Sequence, residues 1–232
     1  VDRANEFLPY PDVGFAPNQL YAANPPRPQG VRYPEFVVDE VMPLVESRFR
    51  IARGPENTGI GGFSYGGVAA LHTALIRPDV FGRLLLESAP LWIGPDLQLL
   101  KAAGAARRWP GVVTIGRGSA ESPDAEINAE GQREVEVLRK AIVAASPGTR
   151  LRVFTGEGDV HEPAAWRRRL PGAIKFLFDA HLSLTSSPTR MSPGFRTSAL
   201  SARRPPNLRP MSRSTPGSTT SVSGSTVVIG QR

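Results

Sequence analysis

The chain contains no cysteine, which excludes a disulfide framework, a thiolate metal site and a cysteine nucleophile. Histidine is nearly as scarce, with three in 232 residues, so any reaction that needs an imidazole base has three candidates. No apolar run approaches the roughly eighteen residues that a membrane-spanning helix requires. The first residue is Val1, with no charged-then-apolar leader behind it. We expect a processed, excised or fragmentary chain. Its start then says nothing of its compartment, for which cytoplasmic is the default expectation, and oligomeric state is equally illegible.

A charge excess is also missing from most of the chain. The net charge of +7 is carried by Ser183 to Arg232, where seven arginines stand with no acid; before that the basic and acidic residues balance. A neutral body argues against a nucleic-acid-binding globule, which needs a basic face. Residues 183–232 hold twelve serines, seven threonines and six prolines without hydrophobic periodicity. Such a composition cannot offset the entropy of ordering, and we expect a disordered tail in which the apolar run Val227–Ile229 is too brief to matter. Residues 1–34, crowded with proline, asparagine and aromatics, read as a long irregular loop.

Between them, residues 35–182 alternate helix and strand patterns. Phe36, Val37, Val41, Leu44, Val45 and Phe49 recur at helical spacing around a Pro43 expected to kink the helix. Strand candidates follow at Thr58–Phe63, Leu84–Ser88, Val112–Ile115 and Leu151–Phe154, separated by helical stretches at Val68–Ile76, Leu97–Ala106 and Ala129–Ala145 and closed by a helix over Pro163–His181. Continuous apolar strands alternating with helices predict an α/β fold, a parallel sheet with helices on both faces.

Gly62-Phe63-Ser64-Tyr65-Gly66 fits the G-x-S-x-G nucleophile elbow, in which a strained strand-to-helix turn lifts a serine hydroxyl clear of the sheet. A dinucleotide-binding loop fits less well. In Gly59-x-Gly61-x-x-Ser64 a serine replaces the third glycine, and Asp79, about twenty residues on, follows a proline in a loop. A serine nucleophile needs a base. His72 lies two turns into the helix after the serine and His181 ends the last helix, whereas His161 follows the fourth strand, on the side of the sheet where the elbow opens. The base needs an acid to orient it. Glu121 and Asp124 both lie after the third strand, giving the chain order Ser…acid…His of α/β-hydrolases, and spacing does not separate them. Asp159 reads as a turn or cap residue.

The chain resembles the "Putative esterase" family of α/β-hydrolases, which includes esterase D, enterochelin esterases, acetyl-xylan and feruloyl esterases and mycolyltransferases. The likeness rests on four islands: Asn57-Thr58-Gly59-Ile60-Gly61-Gly62-Phe63-Ser64-Tyr65-Gly66-Gly67, Pro78-Asp79-Val80-Phe81-Gly82-Arg83, Ser88-Ala89-Pro90-Leu91-Trp92, and His161 with Ala164-Ala165-Trp166-Arg167-Arg168-Arg169-Leu170-Pro171. It implies an incomplete α/β-hydrolase fold over residues 35–182, with Ser64 as nucleophile, His161 as base, Glu121 as orienting acid and Trp92 lining the substrate cleft. An activity on small-molecule esters follows, with no metal or organic cofactor, no membrane span and no nucleic-acid partner.

The departures are specific. The family's sheet begins with strands upstream of the Phe36 helix, and a loop after one of them supplies an oxyanion donor. Residues 1–34 hold no convincing strand, which leaves the Tyr65 N–H as the remaining donor, exposes one edge of the nucleophile strand and costs about 3–4 kcal/mol in the barrier. We expect the catalytic half of an esterase with a tail foreign to the family. The rival readings are an acyltransferase of the same family and a truncated, non-catalytic binding module.

Overall fold

A computed structural model describes residues 3–12, 27–179 and 226–230. Strands β1 (Thr58–Phe63), β2 (Arg83–Glu87), β3 (Val112–Gly118) and β4 (Arg150–Gly156) form a parallel sheet in spatial order β4-β3-β2-β1. The register sets Ile60 beside Leu84, Leu85 beside Thr114 and Ile115 beside Val153. β1 and β2 are covered on both faces, which is why both read as unbroken apolar or glycine runs.

Successive residues of β2 show how the layers are built, since side chains alternate across a strand. Leu84 and Leu86 join the larger core, with Ile60, Val113 and Ile115, against Val68 and Leu71 of helix α3 (Tyr65–Ile76) and Val135, Leu138 and Ile142 of helix α5 (Ala125–Ala145). Leu85, between them, packs on the other face with Ala173 and Leu177 of helix α6 (Pro163–Phe178). Helix α4 (Gln98–Ala105) adds Leu99, Leu100 and Ala103 to the larger core. The expected α/β architecture, with helices on both faces, is the one observed.

Several local expectations change. Residues 1–34 are not irregular throughout: helix α1 (Arg3–Phe7) buries Ala4, and Leu8 behind it is fully buried. Residues 13–26 lie outside the described residues. Pro43 acts by shifting the hydrogen-bond ladder of helix α2, which runs through Tyr33–Glu35, a wide π-type stretch Phe36–Val41, and Met42–Arg48. The Met42 N–H reaches back five residues to the Val37 carbonyl, one residue ahead of the proline that can donate nothing. The expected apolar stripe of α2 is mostly uncovered, with Val37 buried and Phe36, Leu44, Val45 and Phe49 exposed. Helix α6 ends at Phe178 rather than His181.

The tail expectation is corrected at one point. Thr226–Gly230 is strand β5, antiparallel to β1, with Ile229 beside Gly59 and Val228 beside Ile60. The edge of β1 that the sequence leaves open is thus paired by a segment from the chain's own tail, which satisfies backbone groups that an exposed edge would offer to other chains. The other residues of 183–232, apart from this strand, lie outside the described residues.

Candidate active site

The chemistry collects at the carboxyl ends of consecutive strands: Ser64 after β1, Ser88 after β2, Glu121 after β3 and His161 after β4. Parallel strands bring these ends to one rim, although the residues are remote in sequence. Ser64 has φ 53° and ψ −128°, a conformation that a side chain rarely adopts and that costs on the order of 1–3 kcal/mol. Neighbouring contacts hold it there: its N–H donates to the Glu87 carbonyl at 2.9 Å and its carbonyl accepts from the Gly67 N–H at 2.9 Å. A Cβ on Gly62 would run into the Gly66 carbonyl, and one on Gly67 would stand 2.8 Å from the Ala89 methyl. Glycine is therefore a steric requirement of the turn at both positions.

His161 Nε2 lies 3.0 Å from Ser64 Oγ, and His161 Nδ1 lies 3.2 Å from Glu121 Oε2. With its proton on Nδ1, donated to Glu121, the imidazole presents Nε2 as an acceptor to the serine hydroxyl. The edge of the ring meets Trp166, centroids 5.1 Å apart, and Trp166 stacks on Phe63 at 5.5 Å. Aromatic packing of this kind holds the imidazole plane.

Glu121 is held by donors on both oxygens. Oε1 accepts from the Gly118 N–H at 2.7 Å and from the Ser88 hydroxyl. Ser88 Oγ itself receives the Trp166 indole N–H at 2.9 Å and Arg169 Nη2 at 3.2 Å, so its own proton is directed to Glu121. Oε2 faces His161 and, at 3.5 Å, Arg117 Nη1. Burial alone would raise the carboxyl's pKa; the His161 hydrogen bond, the Arg117 charge and the Ser88 and Gly118 donors outweigh it and hold the group below its ordinary value.

The remaining sequence candidates separate. Asp124 caps α5, accepting from the Glu126 N–H at 2.8 Å and the Ile127 N–H at 3.4 Å, and has no part in the Ser64–His161–Glu121 cluster. Asp159 is more than a turn residue: it pairs with Arg168 at 2.6 Å and Arg169 at 2.5 Å. His72 is buried on α3 against Tyr10, and burial pushes its pKa down to about 4. His181 lies outside the described residues. Tyr65 opens α3, and its hydroxyl donates to Asp12 Oδ2 at 2.7 Å, while the Trp92 indole donates to Asp12 Oδ1 at 3.3 Å. One carboxylate from the N-terminal segment therefore ties Trp92 to the residue after Ser64.

Sequence reasoning assigned no role to Ser88, Trp166, Arg169, Arg117 or Asp12. Ser88 carried a readable signal as a polar residue ending a buried apolar strand; its φ of 51° did not. Among the described residues no group of three or more His, Asp or Glu side chains is placed to hold a metal ion, and no helix is long and apolar enough to cross a membrane. A cavity of about 460 Å³ bordered by Met42, Phe49, Thr58 and Val80 opens at the amino-terminal end of β1, away from the cluster.

A model of the family described as "Putative esterase" matches residues 6–177. The iron(III) enterobactin esterase of Dickeya dadantii is 28% identical over 158 residues, covering 61% of this chain and 34% of that protein. The endo-1,4-beta-xylanase/feruloyl esterase of Xylanibacter ruminicola is 27% identical over 146 residues, covering 63% of this chain and 18% of that protein. The chain thus spans about a third or less of the length of these curated relatives. The siderophore hydrolase EstA from Aspergillus nidulans superposes with a TM-score of 0.55 at 22% identity, covering 78% of this chain and 67% of that one. That likeness is one of fold.

Proposed function

The chain belongs to the esterase family that matches it over residues 6–177, and from that premise we propose that it hydrolyses carboxylic esters through an acyl-serine intermediate. The observation that carries the reading is the continuous relay Ser64 Oγ, His161 Nε2, His161 Nδ1, Glu121 Oε2, with contacts of 3.0 and 3.2 Å.

Ser64 Oγ attacks the ester carbonyl as His161 Nε2 takes its proton. The imidazolium so formed is stabilised by Glu121, which stays ionised. The negative oxygen of the tetrahedral intermediate is received by the Tyr65 backbone N–H, at the first position of α3, where the helix dipole adds to the attraction. Collapse breaks the bond to the alcohol, and His161 returns the proton to the leaving oxygen. Water then repeats the sequence: His161 removes its proton, the hydroxide oxygen bonds to the acyl carbon, and Ser64 leaves with the proton restored. The route draws on no metal or organic cofactor. Trp92 and Asp12, joined beside Tyr65, form a wall of the substrate cleft. The two curated relatives offer two natural ester classes for comparison, an iron(III) enterobactin ester and a feruloyl ester.

The test is turnover of p-nitrophenyl acetate by the purified chain and by Ser64→Ala. We expect the variant to lose at least about 10⁴-fold in kcat. A fluorophosphonate should label the parent and not the variant, and the two natural ester classes are then ranked by kcat/KM. Equal turnover by parent and variant overturns the assignment.

A further inference from the structure

Two buried arginines approach the carboxylate that faces His161, and their charges are spent differently. Arg169 pairs with Glu87 at 2.8 Å and Asp159 at 2.5 Å, two carboxylates for one guanidinium, and reaches the Glu121 side only through the neutral Ser88 hydroxyl. Arg117 has Glu121 Oε2 at 3.5 Å, with both side chains almost fully buried. It lies flat on α5 where Gly131 leaves room: a Cβ at that position would overlap the guanidinium. One turn further along α5, Glu134 is buried, and neither of its carboxylate oxygens nor Arg117 Nε has a hydrogen-bond partner among the described residues.

We infer that Arg117 is a positioning residue: its buried guanidinium holds the Glu121 carboxylate against His161 and, through that carboxylate, sets how readily the imidazole accepts a proton. This rests on the reading of Ser64, His161 and Glu121 as the catalytic group. Arg117 adds a positive charge behind Glu121, which keeps the acid ionised and opposes a second positive charge on the ring. Glu134 is the counter-charge that keeps Arg117 from over-correcting. Burial pushes the Glu134 pKa up to about 7, against the lowering effect of Arg117, so its compensation is partial near neutrality. Of the other charges on the loop of His161 and the elements beside it, Asp159 is paired with Arg168 and Arg169, and Glu87 with Arg169, while Glu157, Glu162 and Arg167 are exposed, where solvent screens them.

The experiment follows the His161 imidazole by NMR through a pH titration of the full chain, assigned by the signal lost in His161→Gln. Arg117→Met should raise the midpoint by about one pH unit, and Arg117→Lys, which retains the charge, should leave it within about 0.3 unit. Arg117→Met with Glu134→Gln avoids burying an uncompensated carboxylate; it covers the case in which the single variant fails to fold and should shift the midpoint the same way. Glu134→Gln alone, which leaves Arg117 uncompensated, should lower it by a few tenths of a unit.

A purely structural role for Arg117 predicts weaker folding with no movement of the midpoint, and midpoints unmoved in all these variants overturn the inference. The acid limb of kcat/KM on p-nitrophenyl acetate should follow the same shifts. Turnover by the parent without any shift refutes Arg117 alone; shifts without turnover by the parent refute the hydrolase reading and leave the electrostatic role standing.

Discussion

Replacing Glu121 by glutamine changes almost no volume, so its effect can be worked out from hydrogen-bond directions. Oε1 receives two donors, the Gly118 N–H and the Ser88 hydroxyl. The Ser88 proton cannot turn away, because Trp166 and Arg169 already donate to its oxygen. The amide oxygen of Glu121→Gln must therefore occupy the Oε1 position, which places the NH₂ where Oε2 faces His161 Nδ1 and Arg117 Nη1. An amide N–H and the Nδ1–H, both donors, then face each other, and the imidazole relieves the conflict by carrying its proton on Nε2 instead. An Nε2–H directed at Ser64 cannot accept the serine proton. The same acid-to-amide exchange in a serine-protease triad costs about 10⁴ in kcat, or about 5.5 kcal/mol in the barrier, and we expect a loss of that order here.

Asp124→Asn is the internal control, since asparagine caps a helix about as well as aspartate; it should alter kcat less than about twofold. Steady-state kcat on p-nitrophenyl acetate, with circular dichroism to verify folding, decides the matter. A Glu121→Gln protein within tenfold of the parent, or an Asp124→Asn protein losing as much, would refute the reasoning.

Two further outcomes concern stability. His72 has a folded pKa of about 4 against an ordinary 6.5; below 6.5 the unfolded chain takes up the proton first, so stability should fall by about 3 kcal/mol between pH 6.5 and 4. Chemical denaturation across that range, compared with His72→Leu, isolates this contribution, and an unchanged pH slope in the variant would count against it. Gly62→Ala should lower Tm by about 6–12 °C, from roughly 3 kcal/mol of overlap with the Gly66 carbonyl; a thermal melt indistinguishable from the parent would show that the turn can relax.

Much of this molecule is local and so was readable in the chain. Leu84-Leu85-Leu86 reads as a strand with two covered faces, because an apolar run this short, between a turn at Gly82 and the polar Glu87-Ser88, fits a buried parallel strand better than a helix, and the structure sends Leu84 and Leu86 to one core and Leu85 to the other. The G-x-S-x-G turn placed Ser64 for a steric reason that the Gly62 environment bears out. Separating Glu121 from Asp124 was beyond spacing, since the two differ by three residues on one loop; what divides them is that the backbone at Gly118 and the Ser88 hydroxyl converge on Glu121, while the start of α5 claims Asp124 as its cap.

Ser88, Arg117 and the Trp166–Arg169 turn of α6 lie dozens of residues apart, and pairings of that range depend on which strands are neighbours. The same holds for β5: Val227, Val228 and Ile229 favour a strand by their β-branching, but a run so short carries no partner of its own, and the fold alone sets it antiparallel beside β1. Composition and periodicity decided the layers and the position of the turn; the tertiary structure decided which charges meet, because electrostatic and hydrogen-bond partners are set by distance in space, which the order of residues along a chain does not encode.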